Sequence, residues 1–230
     1  PVISLSDLFR FPDVWMFLTW VTEPYNILLA LIVIMITTKE FGNHTFKTQV
    51  IFGMSRTDLL LQKISLVLLL ALFATLLLGV TSLLLGLIYS YKLTLKIALE
   101  NTQVLANYLL ASFTFMSWGL MVALLIRNTA LSLMAFLALR TFVDPVLFLV
   151  LRNSEVKWYL PFRTMTRLTP VPDLIEIFQR RMNSGDQVDP SSMDLLPRGL
   201  TPWLNILLVI AYAALAVFIS HRLLQRRRFT

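Results

Sequence analysis

Long apolar runs alternate with shorter polar stretches along the whole chain. About 20 apolar residues in a helix are enough to cross the hydrocarbon core of a bilayer. Five runs of that kind occur, at about residues 18–38, 64–88, 104–126, 130–151 and 203–220. The pattern predicts an all-α, polytopic membrane helical bundle, a single transmembrane domain over residues 1–230 with five visible transmembrane helices.

The composition agrees with this class. Hydrophobic residues make up 57% of the 230 residues and charged residues only 14%, whereas soluble domains carry about 25% charged residues. We attribute the net charge of +7 to basic loops at an anionic membrane surface and not to nucleic-acid binding. The chain has no cysteine, which excludes disulfides, thiol nucleophiles and thiolate metal sites.

Polar segments separate and flank the apolar runs. Residues 1–17 mix charged and aromatic side chains, which predicts a lead-in helix near the membrane interface, on the outer side. Residues 152–202 form a long polar segment with six prolines. Within it, residues 173–182 read D-L-I-E-I-F-Q-R-R-M, with acidic residues first and basic residues last, which predicts a short interfacial helix. The other two main segments are 39–63 and a basic tail at 221–230.

The basic residues indicate which side of the membrane each segment faces. Short basic loops stay in the cytoplasm, so the tail at 221–230 predicts a cytoplasmic C-terminus. Counting spans back places segment 39–63 and the turn at Arg127 in the cytoplasm, and segment 152–202 on the outer side. Because five spans leave Pro1 outside, we expect a further span upstream of this sequence, which gives six spans with both ends inside.

Segment 39–63 has an internal order of its own. An apolar stripe at helical spacing consists of Phe46, Val50, Gly53 and Met54. Gly53 is suited to end a helix because glycine accepts the left-handed conformation. Ser55 and Asp58 then match a capping box directly before an apolar run. The pattern predicts a short amphipathic helix, a break and a capped helix that continues into the membrane; the alternative is a plain solvated loop.

Two opposite charges lie within the fourth apolar run. Arg140 and Asp144 are four residues apart and share a helix face, so they are able to pair. Each charge alone costs roughly 2.5–3.5 kcal/mol at the bilayer centre. Pro145 lacks the amide that would bond the carbonyl of Thr141, which predicts a kink or partial unwinding. Two interpretations remain: an ion pair that fixes the bundle, or a polar point on a transport path or dimer contact.

The stretch T-K-E-F-G-N-H-T-F-K-T-Q-V-I-F-G-M-S-R-T-D-L-L-L-Q-K resembles the segment between the second and third spans of type 2 ATP-binding-cassette (ABC) exporter permeases. That segment has an acidic–aromatic pair, a small polar residue, a threonine, a basic residue, then a small residue followed by Ser-Arg and an apolar run. The matching positions here are Glu40, Phe41, Asn43, Thr45, Lys47, Gly53, Ser55 and Arg56. If a first span precedes this sequence, the resemblance covers essentially the whole chain.

The resemblance implies six spans, a dimer formed with a second permease copy or homologue, and two cytoplasmic ABC ATPase subunits as partners. ATP and Mg would be held by the ATPase, and this chain would bind no cofactor. The segment between residues 40 and 58 would be a cytoplasmic coupling helix in a groove of the ATPase. The coupling residues so implied are Glu40, Phe41, Thr45, Lys47, Val50, Phe52, Gly53, Ser55, Arg56 and Asp58. A bacterial plasma membrane and contact with its lipids are expected.

Motifs of catalysis are absent from the sequence. It contains no G-x-x-x-x-G-K phosphate loop, no H-E-x-x-H and no G-x-S-x-G. Its two histidines lie far apart, so we predict no metal site. The leading hypothesis is a permease subunit that is not itself an enzyme. The alternatives are a non-transporting membrane anchor or regulatory subunit of an ATPase complex in surface assembly or motility, and an intramembrane enzyme, which would need Asp144 in an open pocket with a second titratable group.

Overall fold

The computed structural model describes residues 8–43, 45–90, 95–169 and 201–226, and within these ranges all regular secondary structure is helical. Among these described residues, five helices are long and apolar enough to cross a membrane. They are Asp13–Gly42, Arg56–Tyr89, Ile97–Ile126, Thr129–Val150 and Pro202–Gln225. The prediction of an all-α helical bundle with five visible spans is therefore confirmed.

The described residues form ten α-helices: α1 Asp13–Thr22, α2 Asn26–Gly42, α3 Thr45–Ile51, α4 Arg56–Tyr89, α5 Leu95–Leu99, α6 Gln103–Ile126, α7 Thr129–Ala138, α8 Asp144–Val150, α9 Pro161–Thr166 and α10 Pro202–Arg226. In the same part of the chain, the 3-10 helix Glu23–Tyr25 joins α1 to α2, the π-helical turn Leu139–Val143 joins α7 to α8, and the 3-10 helix Glu155–Tyr159 precedes α9.

Helix α6 lies at the centre of the bundle and packs against α2, α4 and α10. Phe115, Met116 and Leu120 are among its fully buried side chains. A Cβ atom added at Gly119 would lie 3.0 Å from the carbonyl oxygen of Ala30, so α2 and α6 approach at nearly backbone distance. Small residues at such crossings are typical of helix packing in membranes, where close van der Waals contact replaces the hydrophobic effect.

The outer surface of the spans is apolar. Large exposed hydrophobic side chains follow α4, the Thr129–Val150 span and α10; they include Leu69, Phe73, Leu76, Met134, Phe142, Leu149, Leu207, Ile210 and Phe218. A soluble protein rarely leaves so much contiguous apolar surface in water. These faces are suited to contact with lipid, in agreement with a multi-pass membrane protein.

A helix begins within the predicted interfacial lead-in. Helix α1 starts at Asp13, and the stretch that is long and apolar enough to span a membrane, Asp13–Gly42, includes residues 13–17. Trp15 is buried and its indole Nε1 donates a hydrogen bond of 2.9 Å to the carbonyl of Ala98, which gives this aromatic residue an interior position. Pro24 lies in the 3-10 turn between α1 and α2, where its missing amide is tolerated. Residues 1–7 lie outside the described part of the chain.

The fourth span is interrupted as Pro145 predicted. A π-helical turn at Leu139–Val143 separates α7 from α8, and the amide of Asp144 bonds back to the carbonyl of Leu139. Because Pro145 has no amide to continue the α-helical ladder, the turn before it widens. Turns of this type lie often at functional sites in helices.

Part of the polar segment 152–202 folds back onto the bundle. Helix α9 packs against α6 and α10, and its Phe162 and Met165 are buried. The side-chain amide of Asn205 donates a hydrogen bond of 3.1 Å to the carbonyl of Thr164. The helix predicted at residues 173–182 lies outside the described residues.

Candidate functional site

The helix, break and capped helix predicted for segment 39–63 are confirmed. Helix α3 ends at Ile51, and Gly53 has a φ of +91°, in the left-handed region that glycine adopts without strain. Ser55 then caps α4: its hydroxyl accepts from the amide of Asp58, and the carboxylate of Asp58 accepts from the amide of Ser55, each at 3.1 Å. This reciprocal pair fixes the start of α4.

The last residue of α3, Ile51, and the two turn residues that follow it, Phe52 and Gly53, form what we call the tip. Ile51 is 73% exposed and Phe52 is 84% exposed. Its backbone is nonetheless ordered by hydrogen bonds, from the Phe52 amide to the Thr48 carbonyl at 3.0 Å and from the Met54 amide to the Gln49 carbonyl at 3.1 Å. The tip therefore presents two large apolar side chains on a defined turn at the end of a membrane-spanning helix.

A buried ion pair connects α2 with α4 behind the tip. The ammonium of Lys63 bonds the carboxylate of Glu40. Lys63 is only 2% exposed, and the Glu40 side chain is 23% exposed. A buried charge is tolerated when it is paired and hydrogen-bonded, so this contact constrains how α2 and α4 lie against each other.

Arg56 connects the start of α4 with the end of α10. Its guanidinium donates to the carbonyl of Leu224 at 3.2 Å and also to the carbonyl of Gln225. The last carbonyls of a helix lack partners within the helix and carry partial negative charge, which a guanidinium neutralises well. Arg56 thus ties the second and last visible spans together.

Phe41 contributes to the same end of the bundle. The guanidinium of Arg127 lies 5.0 Å from the centroid of its ring, in a cation–π arrangement. Arg127 is the left-handed residue (φ 59°) that ends α6, and Asn128 next to it caps α7. The tight turn predicted here is confirmed, and it brings the α6–α7 connection against α2.

The coupling residues proposed from the sequence divide into two groups. Exposed positions are Phe52, Gly53, Ser55 and Asp58, whereas Glu40, Phe41 and Arg56 contact other helices of the same chain. Thr45 is half-buried. The side chains of Lys47 and Val50 lie outside the described part, although their backbone belongs to α3. Sequence reasoning missed the role of Lys63, for which the signal was a lysine at the start of a strongly apolar run.

The carboxylate of Asp144, which the sequence placed within reach of Arg140, interacts with two arginines. Asp144 is 4% exposed, and the ion pair described for it is with Arg163, whose Nε lies 3.7 Å from Oδ2. Arg163 belongs to α9, which folds back against the bundle and competes for the carboxylate. The guanidinium of Arg140 lies 5.9 Å from the centroid of the Phe162 ring, within electrostatic range of Asp144. The i, i+4 spacing alone could not reveal a partner from a distant segment.

Among the described residues, no group of three or more histidine, aspartate or glutamate side chains could hold a metal ion. No protein-family model matches the chain, and no curated protein sequence matches it either. The functional argument therefore depends on the architecture of the tip and of the helix ends behind it.

Proposed function

We propose that this chain is the membrane-spanning permease subunit of an ABC exporter, driven by ATP hydrolysis on a separate ATPase subunit. The observation that carries the proposal is the tip: two exposed apolar side chains on an ordered turn, directly ahead of the capped start of a membrane-spanning helix. An apolar projection rimmed by polar residues is typical of a protein contact site.

The length of α4 supports a mechanical role. Its 34 residues extend about 51 Å at 1.5 Å per residue, whereas the hydrocarbon core is about 30 Å thick. About 20 Å of continuous helix therefore projects beyond the core. Because the capping box fixes the end of α4, a force applied at the tip moves the helix as a rigid body. The contacts of Lys63 with Glu40 and of Arg56 with α10 distribute that movement to α2 and the last span.

The remaining parts of the proposal follow from the resemblance of segment 39–63 to type 2 ABC exporter permeases. ATP and Mg are held by the cytoplasmic ATPase subunits, and this chain is not an enzyme by itself. A second permease copy or homologue completes the transport path. The tip and the end of α10 face the cytoplasm of a bacterial cell, so the C-terminus is inside.

The test is to co-express the chain with an ABC ATPase encoded in the same genome and to measure co-purification and ATPase activity in lipid. Phe52→Ala removes the largest exposed side chain of the tip and should reduce both the co-purification of the ATPase and its activity. Val150→Ala is the matched control, because Val150 is a similarly exposed apolar residue (75%) at the far end of the fourth span. Equal effects of the two changes would contradict the proposal.

A second variant and a distance measurement separate transport from anchoring. Arg56→Glu should retain the exposed tip but uncouple it from α10, so ATPase binding persists while its coupled activity falls. Because the chain has no cysteine, Val156→Cys carries the one spin label of each copy. In the dimer, the distance between the two labels is then measured on the side of the membrane opposite the tip. A change between nucleotide-free and ATP-bound states favours the permease; an unchanged distance favours the non-transporting anchor.

A further inference from the structure

Three arginines gather in the half of the bundle that is remote from the tip. Arg140 lies about 16 Å along the helix axis from Thr129, where the fourth span begins beside the tip end of the bundle. Arg163 and Arg167 lie on or just after α9, which folds back toward the π-helical turn. The Phe148 ring under Arg163 lies 5.9 Å from the Trp158 ring under Arg167, and Arg140 lies beside the ring of Phe162, the residue before Arg163, so the three charges form one cluster. We call these three residues the arginine cluster.

Aromatic rings hold each guanidinium of the cluster. Arg163 lies 3.5 Å from the centroid of the Phe148 ring, Arg167 lies 4.3 Å from that of Trp158, and Arg140 lies 5.9 Å from that of Phe162. Stacking on a ring face leaves the N–H groups at the edge of the guanidinium plane available for an acceptor. The rings therefore orient the donors without occupying them.

Several of these donors are buried and make no hydrogen bond within the described structure. They are Nε of Arg140, one terminal nitrogen of Arg167 and Nε of Arg163, which forms an ion pair with Asp144 at 3.7 Å but lies beyond hydrogen-bond distance. Burial of an N–H group without a hydrogen bond is costly, and more so when the group is charged. Three such groups in one cluster indicate a site that is completed by a ligand with several acceptor oxygens.

The charge balance points to an anion. Asp144 lies beside Arg163 at 3.7 Å, and Glu23 is within electrostatic range of Arg140. Lys157 adds a further positive charge on the Trp158 ring, at 5.0 Å. Burial, followed by the charge of Arg163, lowers the pKa of Arg167, so a nearby anion would relieve both effects. The positive charges outnumber the two carboxylates.

We propose that Arg140, Arg163 and Arg167 form a binding site for a phosphate group at the π-helical turn of the fourth span. A phosphate group offers at least two unesterified acceptor oxygens to the guanidinium edges, and arginine matches phosphate geometry in a bidentate manner. The phosphate belongs either to a lipid headgroup or to a soluble phosphorylated compound. The site does not depend on the proposed transport function.

The experiment measures binding to the purified full chain in a phosphate-free maltoside detergent, by native mass spectrometry and by the shift in thermal unfolding. One arm adds inorganic phosphate and the other adds phosphatidylglycerol. Arg167→Gln removes one donor fork and should weaken binding about tenfold in at least one arm. Arg152→Gln is the matched control, because Arg152 is an exposed arginine in the same connection and its loss changes the net charge equally.

The pattern of loss decides between the two sources. If Arg167→Gln weakens the binding of phosphatidylglycerol alone, the ligand is a lipid headgroup. If it weakens the binding of inorganic phosphate, the ligand is a soluble phosphorylated compound. Arg167→Lys keeps the charge over the Trp158 ring without the planar fork, so its affinity should be intermediate; this variant carries the test if Arg167→Gln does not fold. The proposal is overturned if the wild type binds neither probe, or if the Arg167 variants and Arg152→Gln bind both probes alike, as expected for an adventitious ion only.

Discussion

Removal of the buried ammonium of Lys63, behind the tip, is expected to destabilise the protein more than removal of any exposed charge. Lys63→Met replaces the ammonium with an apolar side chain of similar length and leaves the carboxylate of Glu40 without its partner in α4. The reason for the cost is not the lost attraction itself. It is the negative charge that remains in a place where little water reaches it.

The exposed fractions of the Lys63 and Glu40 side chains determine how much stability Lys63→Met removes. Breaking a fully buried ion pair costs about 3–5 kcal/mol, whereas exposed pairs contribute about 0–1 kcal/mol. Lys63 is 2% exposed but the Glu40 side chain keeps 23% of its exposure, so the remaining carboxylate is partly solvated. We therefore expect a loss of about 2–3 kcal/mol in the free energy of unfolding. Glu40→Gln combined with Lys63→Met should recover about 1–2 kcal/mol of this loss, as a coupled pair does.

The assay is unfolding in mixed micelles with increasing dodecyl sulfate, followed by far-ultraviolet circular dichroism, for both single variants and the double variant. Lys39→Met is the control, because Lys39 is an exposed lysine near the end of α2, and it should change stability by less than about 0.5 kcal/mol. If Lys63→Met is no more destabilising than Lys39→Met, or if the two changes at Glu40 and Lys63 are simply additive, the reasoning is refuted.

Two further predictions concern the packing of α6. Gly119→Leu should destabilise the bundle by about 1–3 kcal/mol, since even a Cβ would lie 3.0 Å from the carbonyl oxygen of Ala30; an unchanged midpoint in the same micelle titration would contradict the close approach of α2 and α6. Ser112→Ala should cost about 1–3 kcal/mol, because its hydroxyl donates a 2.6 Å hydrogen bond to the buried side-chain carbonyl of Asn26; a neutral result would show that the amide finds another partner.

Local signals in the sequence identified much of segment 39–63. Glycine at position 53 and the Ser55–Asp58 pair are short-range features whose physical effect depends on the next few residues alone, and the structure has both as expected. The interruption before Pro145 is of the same kind, since a missing amide acts within one helical turn.

Contacts between distant segments could not be predicted in this way. Nothing in the spacing of residues showed that Arg163 would reach Asp144, or that Arg56 would meet the carbonyls at the end of α10. These contacts depend on how the helices pack in three dimensions, and the spacing of residues within one helix does not contain that information. The same limitation applies to Trp15, whose aromatic ring suits the membrane interface but lies inside the bundle.

The central claim, that the tip is the cytoplasmic contact site for an ABC ATPase, is tested most directly by a single cysteine beside the tip, at Thr57. Thr57 is exposed in the first turn of α4, and its replacement leaves Ile51 and Phe52 in place. Because the chain has no cysteine, Thr57→Cys provides one unique thiol for a membrane-impermeant maleimide in vesicles of known orientation. We expect labelling from the cytoplasmic side, strong protection when the ATPase is bound, and labelling of the control Val156→Cys only from the opposite side without protection. Labelling of Thr57→Cys from outside, or equal labelling with and without the ATPase, would contradict the account.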